Sequence, residues 1–268
     1  LPNVEHMLDG LGFEVCFNVI TKEVIGRKDG KPCAMIDIIS AACEYSLASG
    51  WFGSFLNEIA QRNPLNPVKD WIGSCPWDGE DRLPAIYATI TPVEDYPLEL
   101  RDILIHRWLL SATAAATLEG RRFHARGVLT LQGGQGIGKT TWVSNLMPPG
   151  ALRDEVIKRD HLLDAGNKDS IIGAIKHWIT EIGELDSSFR KDVGRIKGFL
   201  TNDCDRLRPP YGRTEVKYDR RTVFAATVND PKFLVDDSGN GRWWVIAAEA
   251  IDFRHTIPMQ QVFAQLHE

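Results

Sequence analysis

The chain reads as an α/β protein: a P-loop domain with a largely parallel sheet flanked by helices, preceded by a small domain of mixed α+β and helical character. Three observations predict this. From Val128 onward, short apolar runs alternate with helical patterns. One of those runs leads directly into a glycine-rich segment, Gly133–Thr140. The first 80 residues show hairpin-type alternation followed by helical spacing instead.

The elements come in chain order. Phe13, Val15 and Phe17 alternate as in a strand, with Val24–Ile25 as the return of a hairpin. Between Ala34 and Ala48, Ile38, Ile39, Ala42 and Tyr45 recur at helical spacing, and Gly50 closes that helix. Phe55–Ala60 suggests another helix, broken by Pro64 and Pro67. Trp51, Trp71 and Trp77 are expected to pack rather than bind. A Pro-, Gly- and Asp-rich loop, Ser74–Pro84, precedes a long helical stretch at Leu98–Leu118, whose Leu100, Ile103, Leu104, Trp108 and Ala112 make one apolar face. A basic loop with Arg121, Arg122 and Arg126 then leads into the second region. The expected organisation is an accessory domain over 1–80, a helical linker region over 81–120 and a P-loop domain over 121–268.

Bulk properties narrow the classes. Net charge is −5, so the chain is no general polyanion binder, and any nucleic-acid site must be a local basic patch. Five cysteines form no C-x-x-C pair and no zinc spacing, which fits free thiols in a reducing cytoplasm. No apolar run approaches the roughly 20 residues that span a bilayer, and no export signal opens the chain. It begins at Leu1 and stops inside a helical pattern at Gln260–Glu268, as a piece of a longer polypeptide would.

The strongest motif is Gly133-Gly134-Gln135-Gly136-Ile137-Gly138-Lys139-Thr140, which matches G-x-x-x-x-G-K-[ST]. A strand, Val128–Leu131, precedes it, and a helix over Thr141–Met147 comes after. Glycines let backbone N–H groups wrap closely around phosphate oxygens. Lys139 neutralises β- and γ-phosphate charge, and the Thr140 hydroxyl is a magnesium ligand. Gly133 through Thr141 are thus the candidate nucleotide-binding residues, with ATP and Mg²⁺ as ligands.

Such a loop needs an acidic partner. Ile175–Ile182 reads as a strand with Glu181 and Glu184 at its end. Glu181 is expected in the magnesium shell and Glu184 at the attacking water; the two roles are interchangeable by spacing, and Asp186 is a third candidate. A further strand, Thr222–Thr227, ends near Asn229, whose amide suits hydrogen bonding to the water or γ-phosphate. An Asn before Asp-Pro also fits a plain turn.

Six basic residues fall between 206 and 221 against two acidic ones, reversing the sign of the chain locally. Arg206, Arg208, Tyr211, Arg213 and Lys217 there suit a single nucleic-acid strand, charges tracking phosphates and the ring stacking on a base. A loop whose arginines serve a subunit contact fits the same residues. Arg242 sits between a glycine turn and an apolar strand, placed either as a finger for a neighbour's γ-phosphate or as partner of Asp236 or Asp237.

Together these motifs resemble the virulence-associated E family of phages and mobile elements, from about Asn66 to the end. The resemblance is carried by Asn66-Pro67-Val68-Lys69-Asp70-Trp71, Trp77-Asp78-Gly79, Lys168-Asp169, Glu181-Ile182-Gly183-Glu184-Leu185, Arg208-Pro209-Pro210-Tyr211-Gly212-Arg213 and Gly239-Asn240-Gly241-Arg242-Trp243, besides the P-loop. Gly241 stands where the family has the first of two adjacent arginines. The resemblance implies an AAA+-like fold, a ring-forming (hexameric) replicative helicase or translocase with ATPase activity, single-stranded DNA as partner, and a fused or separate primase. By analogy with superfamily 3 helicases it also implies a pore-facing hairpin at Arg206, Arg208, Tyr211, Arg213 and Lys217. The rival expectations are a packaging or signalling motor whose basic segment meets protein, and a small-molecule kinase.

Overall fold

The computed structural model describes residues 1–47, 50–120, 122–183, 195–196, 198–207, 216–229 and 240–268. It is a mixed α/β protein with several sheets and two compact units. The first unit comprises Leu1–Pro67 with Arg206–Tyr218, and the second comprises Val68–Asp205 with Asp219–Glu268. The division therefore falls at Pro67 rather than near residue 80. The long helix expected in a linker belongs to the second unit, because its buried face is committed to that unit's core.

In the first unit, β1 (Phe13–Asn18) and β2 (Glu23–Lys28) pair antiparallel, as the alternation predicts. The chain turns between them where the Asn18 carboxamide accepts from the amides of Ile20 (2.9 Å) and Thr21 (3.2 Å). β3 (Lys31–Cys33) adds to β2, and β4 (Pro64–Leu65) pairs parallel with β1. Helices α1 (Pro2–Gly10), α2 (Met35–Glu44) and α3 (Phe52–Gln61) contribute Val4, Met7, Leu8, Ile38, Leu56 and Ala60 to a core shared with Phe13, Val15 and Phe17. Two expectations need correction here. Helix α2 stops at Glu44, short of Gly50, and Tyr45 is exposed. Trp51, expected to pack, is 54% exposed.

The second unit opens with α4 (Pro67–Ile72), α5 (Leu83–Ala88), β5 (Ile90–Pro92) and α6 (Leu98–Thr117). Next come β6 (Val128–Gln132), α7 (Lys139–Ser144), α8 (Ala151–Val156), β7 (Ile157–His161), α9 (Lys168–Ile175) and β8 (Ile179–Ile182). β9 (Cys204–Leu207) pairs with β10 (Val216–Asp219), Arg206–Leu207 and Val216–Tyr218 of these strands being counted in the first unit; β11 (Val223–Val228), a 3₁₀ turn at Asn240–Arg242, β12 (Trp243–Ile251) and α10 (Met259–His267) complete the second. The six-stranded sheet runs β5-β12-β6-β11-β8-β7. Every neighbouring pair from β12 to β7 is parallel, and only β5 runs antiparallel to its neighbour.

Parallel strands place all their carboxyl ends on one edge, and burial on both faces explains why β11 is apolar at every position but Thr227. Tryptophans tie the helices to this sheet. The Trp108 indole donates to the Phe224 carbonyl (2.7 Å) and Trp178 to that of Ala112 (2.8 Å). Trp71 packs edge-on against Trp178 and Phe263. The buried face of α6 is Ile105, Trp108, Leu109, Ala112 and Ala116, while Leu100 and Ile103 lie at the surface. The helix is apolar on more than one side, so spacing alone does not choose the face; the Trp108 bond to the sheet does. Ile175 ends a helix rather than starting a strand, because Asn167 caps α9 by accepting from the amides of Asp169 and Ser170. The acidic strand begins only at Ile179.

Candidate nucleotide site

β6, β11 and β8 are adjacent and parallel, with Gln132 level with Val228 and Ala226 level with Ile182. The three strands hence converge on one place, carrying to it the Gly133–Thr140 loop after β6, Asn229 after β11, and Glu181 near the end of β8. The Gly133 amide donates to the Val228 carbonyl (3.1 Å), joining the loop to β11. Gly138 has φ +92°, and a Cβ there would stand 2.0 Å from the Phe253 ring, so the turn into α7 takes only glycine. Among the described residues, the amides of Gly134 through Gly138 meet no backbone acceptor.

Lys139 is buried, and its ammonium donates to the carbonyls of Gly133 and Gly134 (both 2.7 Å) and to Asn229 Oδ1 (3.0 Å). Burial lowers its pKa, and the negative charge of Glu181 opposes that shift. Glu181 is fully buried. Its Oε1 accepts from the hydroxyls of Thr227 (2.6 Å) and Thr140 (3.2 Å), and its Oε2 accepts from the Asp160 amide (2.7 Å). Burial raises its pKa; the bonds from Thr227, Asp160 and Thr140 pull it down, and the charge of Asp160 pushes it up.

A carboxylate buried beside a threonine hydroxyl is a set of hard oxygen donors, the kind a magnesium ion takes. The loop fits a polyphosphate in the complementary way: amides without a backbone acceptor lie beside the Lys139 ammonium, both of them donors to anionic oxygen.

The structure thus brings together Gly133–Thr141, Glu181 and Asn229. Glu184 and Asp186 lie outside the described residues. Spacing missed Thr227 and Asp160. Thr227 left one trace, a lone hydroxyl near the end of an apolar strand. Asp160 left none in the sequence; its φ of +49° marks it only in the structure.

Arg242 lies at the other edge. Trp243 pairs with Val128 at the start of two parallel strands, whereas the loop extends from their carboxyl ends. At ~3.3 Å per residue the strands separate Arg242 from its own loop by about 16–20 Å. Its alternative partners, Asp236 and Asp237, lie outside the described residues, and among the described residues its Nε meets no acceptor.

The basic segment is thinner than its charge count. Arg220 is fully buried, its Nε donating to Asp205 (2.7 Å) and its guanidinium lying over the Phe199 ring. Arg221 caps α6 by donating to the carbonyls of Ala115, Ala116 and Leu118. Arg206 and Lys217 are exposed on the paired strands β9 and β10, while Arg208, Tyr211 and Arg213 lie outside the described residues. Tyr218 stacks on Phe17 within the first unit, centroids 5.4 Å apart. No helix among the described residues is long and apolar enough to cross a membrane.

The family model described as the virulence-associated protein E-like domain matches residues 72–268. Among solved structures, the chain is similar to the A-form apo structure of the NrS-1 C-terminal region, with TM-score 0.56 and 16% identity over 98% of this chain and 67% of that one. A second apo structure of that region gives 0.48 and 16% over 98% and 68%. At this identity the likeness is one of fold. No curated protein matches.

Proposed function

The chain belongs to the virulence-associated protein E-like domain family, and from that premise we propose that it is the ATPase core of a phage or mobile-element replication protein, an AAA+-like motor moving on single-stranded DNA. One observation carries the reading. Lys139, Thr140, Glu181 and Asn229 come from three adjacent parallel strands and their loops and form one hydrogen-bonded set. In this role Lys139 releases the loop carbonyls and takes β- and γ-phosphate oxygens, while the loop amides bind the remaining charge. Thr140 and Glu181 hold magnesium, which supplies charge neutralisation at the phosphates. Asn229 orients the γ-phosphate or the water, and Glu184 accepts the water's proton. Hydrolysis completes at a contact between copies in a ring, with Arg242 reaching a neighbour's γ-phosphate, since its own is out of range. Arg206, Arg208, Tyr211, Arg213 and Lys217 hold the strand. The host cytoplasm is its place of action, with a primase fused or separate.

A packaging or signalling motor is the second reading. The stacking of Tyr218 on Phe17 favours it, because that residue of the basic stretch is already engaged with protein. ATP turnover measured with and without single-stranded DNA, across protein concentrations, separates the two. Turnover that rises with both supports the DNA motor. Turnover indifferent to DNA favours the second reading, and no turnover at all defeats both.

A further inference from the structure

Glu181 is fully buried, and both of its carboxylate oxygens are held by other parts of the chain. Oε1 accepts from the Thr227 hydroxyl (2.6 Å) as well as from Thr140 (3.2 Å), and Oε2 accepts from the Asp160 amide (2.7 Å). Thr140 belongs to the phosphate loop. The other two donors do not, and the chemistry described above gives neither of them a part. Two separate features of the fold bring them to Glu181.

The first is the alternation of β11. Ala225 is level with Glu181 on the neighbouring parallel strand, and Thr227, two residues on, shares its face of the sheet. Ala225 leaves room beside the carboxylate, Thr227 reaches it, and Asn229 past the strand's end meets Lys139 instead. Thr227 is buried, and a β-branched side chain has few rotamers, so its hydroxyl is fixed before any ligand arrives. Valine would suit the strand equally well; the hydroxyl therefore answers to Glu181 and not to the sheet.

The second is an irregularity in β7. Lys158 is level with Thr180 and His161 with Ile182, so β7 carries one residue more than β8 across that step. Asp160 lies within it at φ +49°. A bulge of this kind takes an amide out of the ladder, and here the amide turns to Glu181. Gly183 permits the approach, since a Cβ there would stand 3.0 Å from the Asp160 Cα. Left-handed backbone costs a residue other than glycine, and such strain collects at functional sites.

We propose that the Thr227 hydroxyl and the Asp160 amide are positioning groups for magnesium, clamping the Glu181 carboxylate from two sides in one orientation beside the Thr140 hydroxyl. The proposal rests on the magnesium-dependent ATPase reading above. Magnesium demands near-ideal geometry of its oxygen ligands, so a carboxylate free to rotate holds it poorly. Groups that orient a ligand count nearly as much as the ligand. Both groups act through Glu181.

The test uses Thr227→Val, Thr227→Ser, Asp160→Val and Asp160→Gly, each checked for cooperative unfolding in EDTA. Two quantities are read: affinity for a fluorescent ADP analogue in EDTA, and the magnesium concentration that half-saturates the magnesium-dependent part of that binding. Thr227→Val should bind the analogue in EDTA like wild type yet need about 10–100-fold more magnesium, the range lost when a ligand's orienting partner is removed. Thr227→Ser keeps the hydroxyl and should lie closer to wild type. Asp160→Val should also raise the magnesium requirement, because a β-branched residue resists φ +49° and draws the amide away. Asp160→Gly lacks the carboxylate but accepts that φ, and should raise it less; this pair carries the test by itself should Thr227→Val not fold. Wild-type magnesium dependence in Thr227→Val overturns the proposal, as does a Thr227→Ser protein as weak as Thr227→Val. Equal losses in Asp160→Gly and Asp160→Val overturn the amide's role and give it to the Asp160 carboxylate. A wild-type protein whose nucleotide binding ignores magnesium defeats the ATPase reading and the clamp together; every other failure falls on the clamp alone.

Discussion

Alanine at Gly138 and at Gly134 should separate the folding of the phosphate loop from its binding. At Gly138 the backbone has φ +92° and a Cβ would overlap the Phe253 ring at 2.0 Å. The left-handed conformation costs an L-residue roughly 1–2 kcal/mol, and forcing the ring aside adds about 1–3 kcal/mol. The sum is about 2–5 kcal/mol, and a domain of this size loses about 2–4 °C of Tm per kcal/mol, so Gly138→Ala should melt roughly 5–20 °C lower. Gly134 meets only Ile137 Cγ2 at 3.9 Å, an ordinary contact. Gly134→Ala should therefore stay within about 0.5 kcal/mol of wild type. Its methyl nevertheless stands in the loop where phosphate oxygens approach the backbone, so affinity for ATP should drop by at least tenfold, on the order of 1.4 kcal/mol. Thermal unfolding and titration with a fluorescent ATP analogue read the two effects. A Gly134→Ala protein that binds ATP like wild type would refute the cradle. A Gly138→Ala protein as stable as wild type would show that Phe253 is not seated over the turn.

Further outcomes are set by the same contacts. Lys139→Ala should abolish ATP binding or turnover, whereas Glu184→Gln should bind ATP and fail to hydrolyse it; wild-type hydrolysis by Glu184→Gln would pass the water-activating role to another carboxylate. Because burial raises the Glu181 carboxyl above its ordinary 4.5, the folded state holds that proton more tightly than the unfolded one. Its favourable contribution is then complete below the ordinary value and is lost as pH rises through the raised one. Glu181→Gln should remove this loss, and should also remove the rise in Tm that magnesium gives wild type at neutral pH (about 2.7 kcal/mol at a hundredfold excess over Kd); an intact magnesium response counts against Glu181 as a ligand. Replacing any one of Arg206, Arg208, Arg213 or Lys217 should make the slope of log affinity against log salt shallower by about 0.7 on single-stranded DNA. Tyr211→Ala should cost about 1–3 kcal/mol at nearly constant slope, and unchanged binding by all of them would leave the segment a protein contact. Asp205→Asn should destabilise the second unit by about 3–5 kcal/mol in urea unfolding, since it strands the buried Arg220; no loss would mean that Arg220 finds other acceptors.

Legibility in the sequence tracks the range of the interaction. The loop motif is contiguous, and its glycines and lysine have roles that neighbours along the chain already require. Glu181 and Asn229 are legible because a parallel sheet sends every strand's end to one edge, so order along the chain translates into position. Arg220 and Arg221 pass, on charge alone, for part of a solvated basic run. A charge count is blind to direction, and only the fold reveals that Arg220 turns inward to Asp205 while Arg221 turns to the end of α6. Leu100 and Ile103 fail similarly, as members of a helix with apolar residues on more than one side. The return of Arg206–Tyr218 to the first unit depends on contacts some two hundred residues apart, such as Tyr218 on Phe17, and no local pattern announces it.

The placement of β11 gives the nucleotide site and the basic segment a common element. The residue three before the strand, Arg220, is clamped by Asp205 at the root of the β9–β10 pair, and Phe224 in the strand lies under the same guanidinium. At the other end Thr227 donates to Glu181 and Asn229 accepts from Lys139. Six residues of strand, about 20 Å at ~3.3 Å each, join the two groups of contacts. A strand in the middle of a parallel sheet is paired on both sides and shifts as a body more readily than it bends. Under the motor reading, Lys139 exchanging Asn229 for a phosphate changes the load at one end of this body, and the other end is the root of the strand-holding segment.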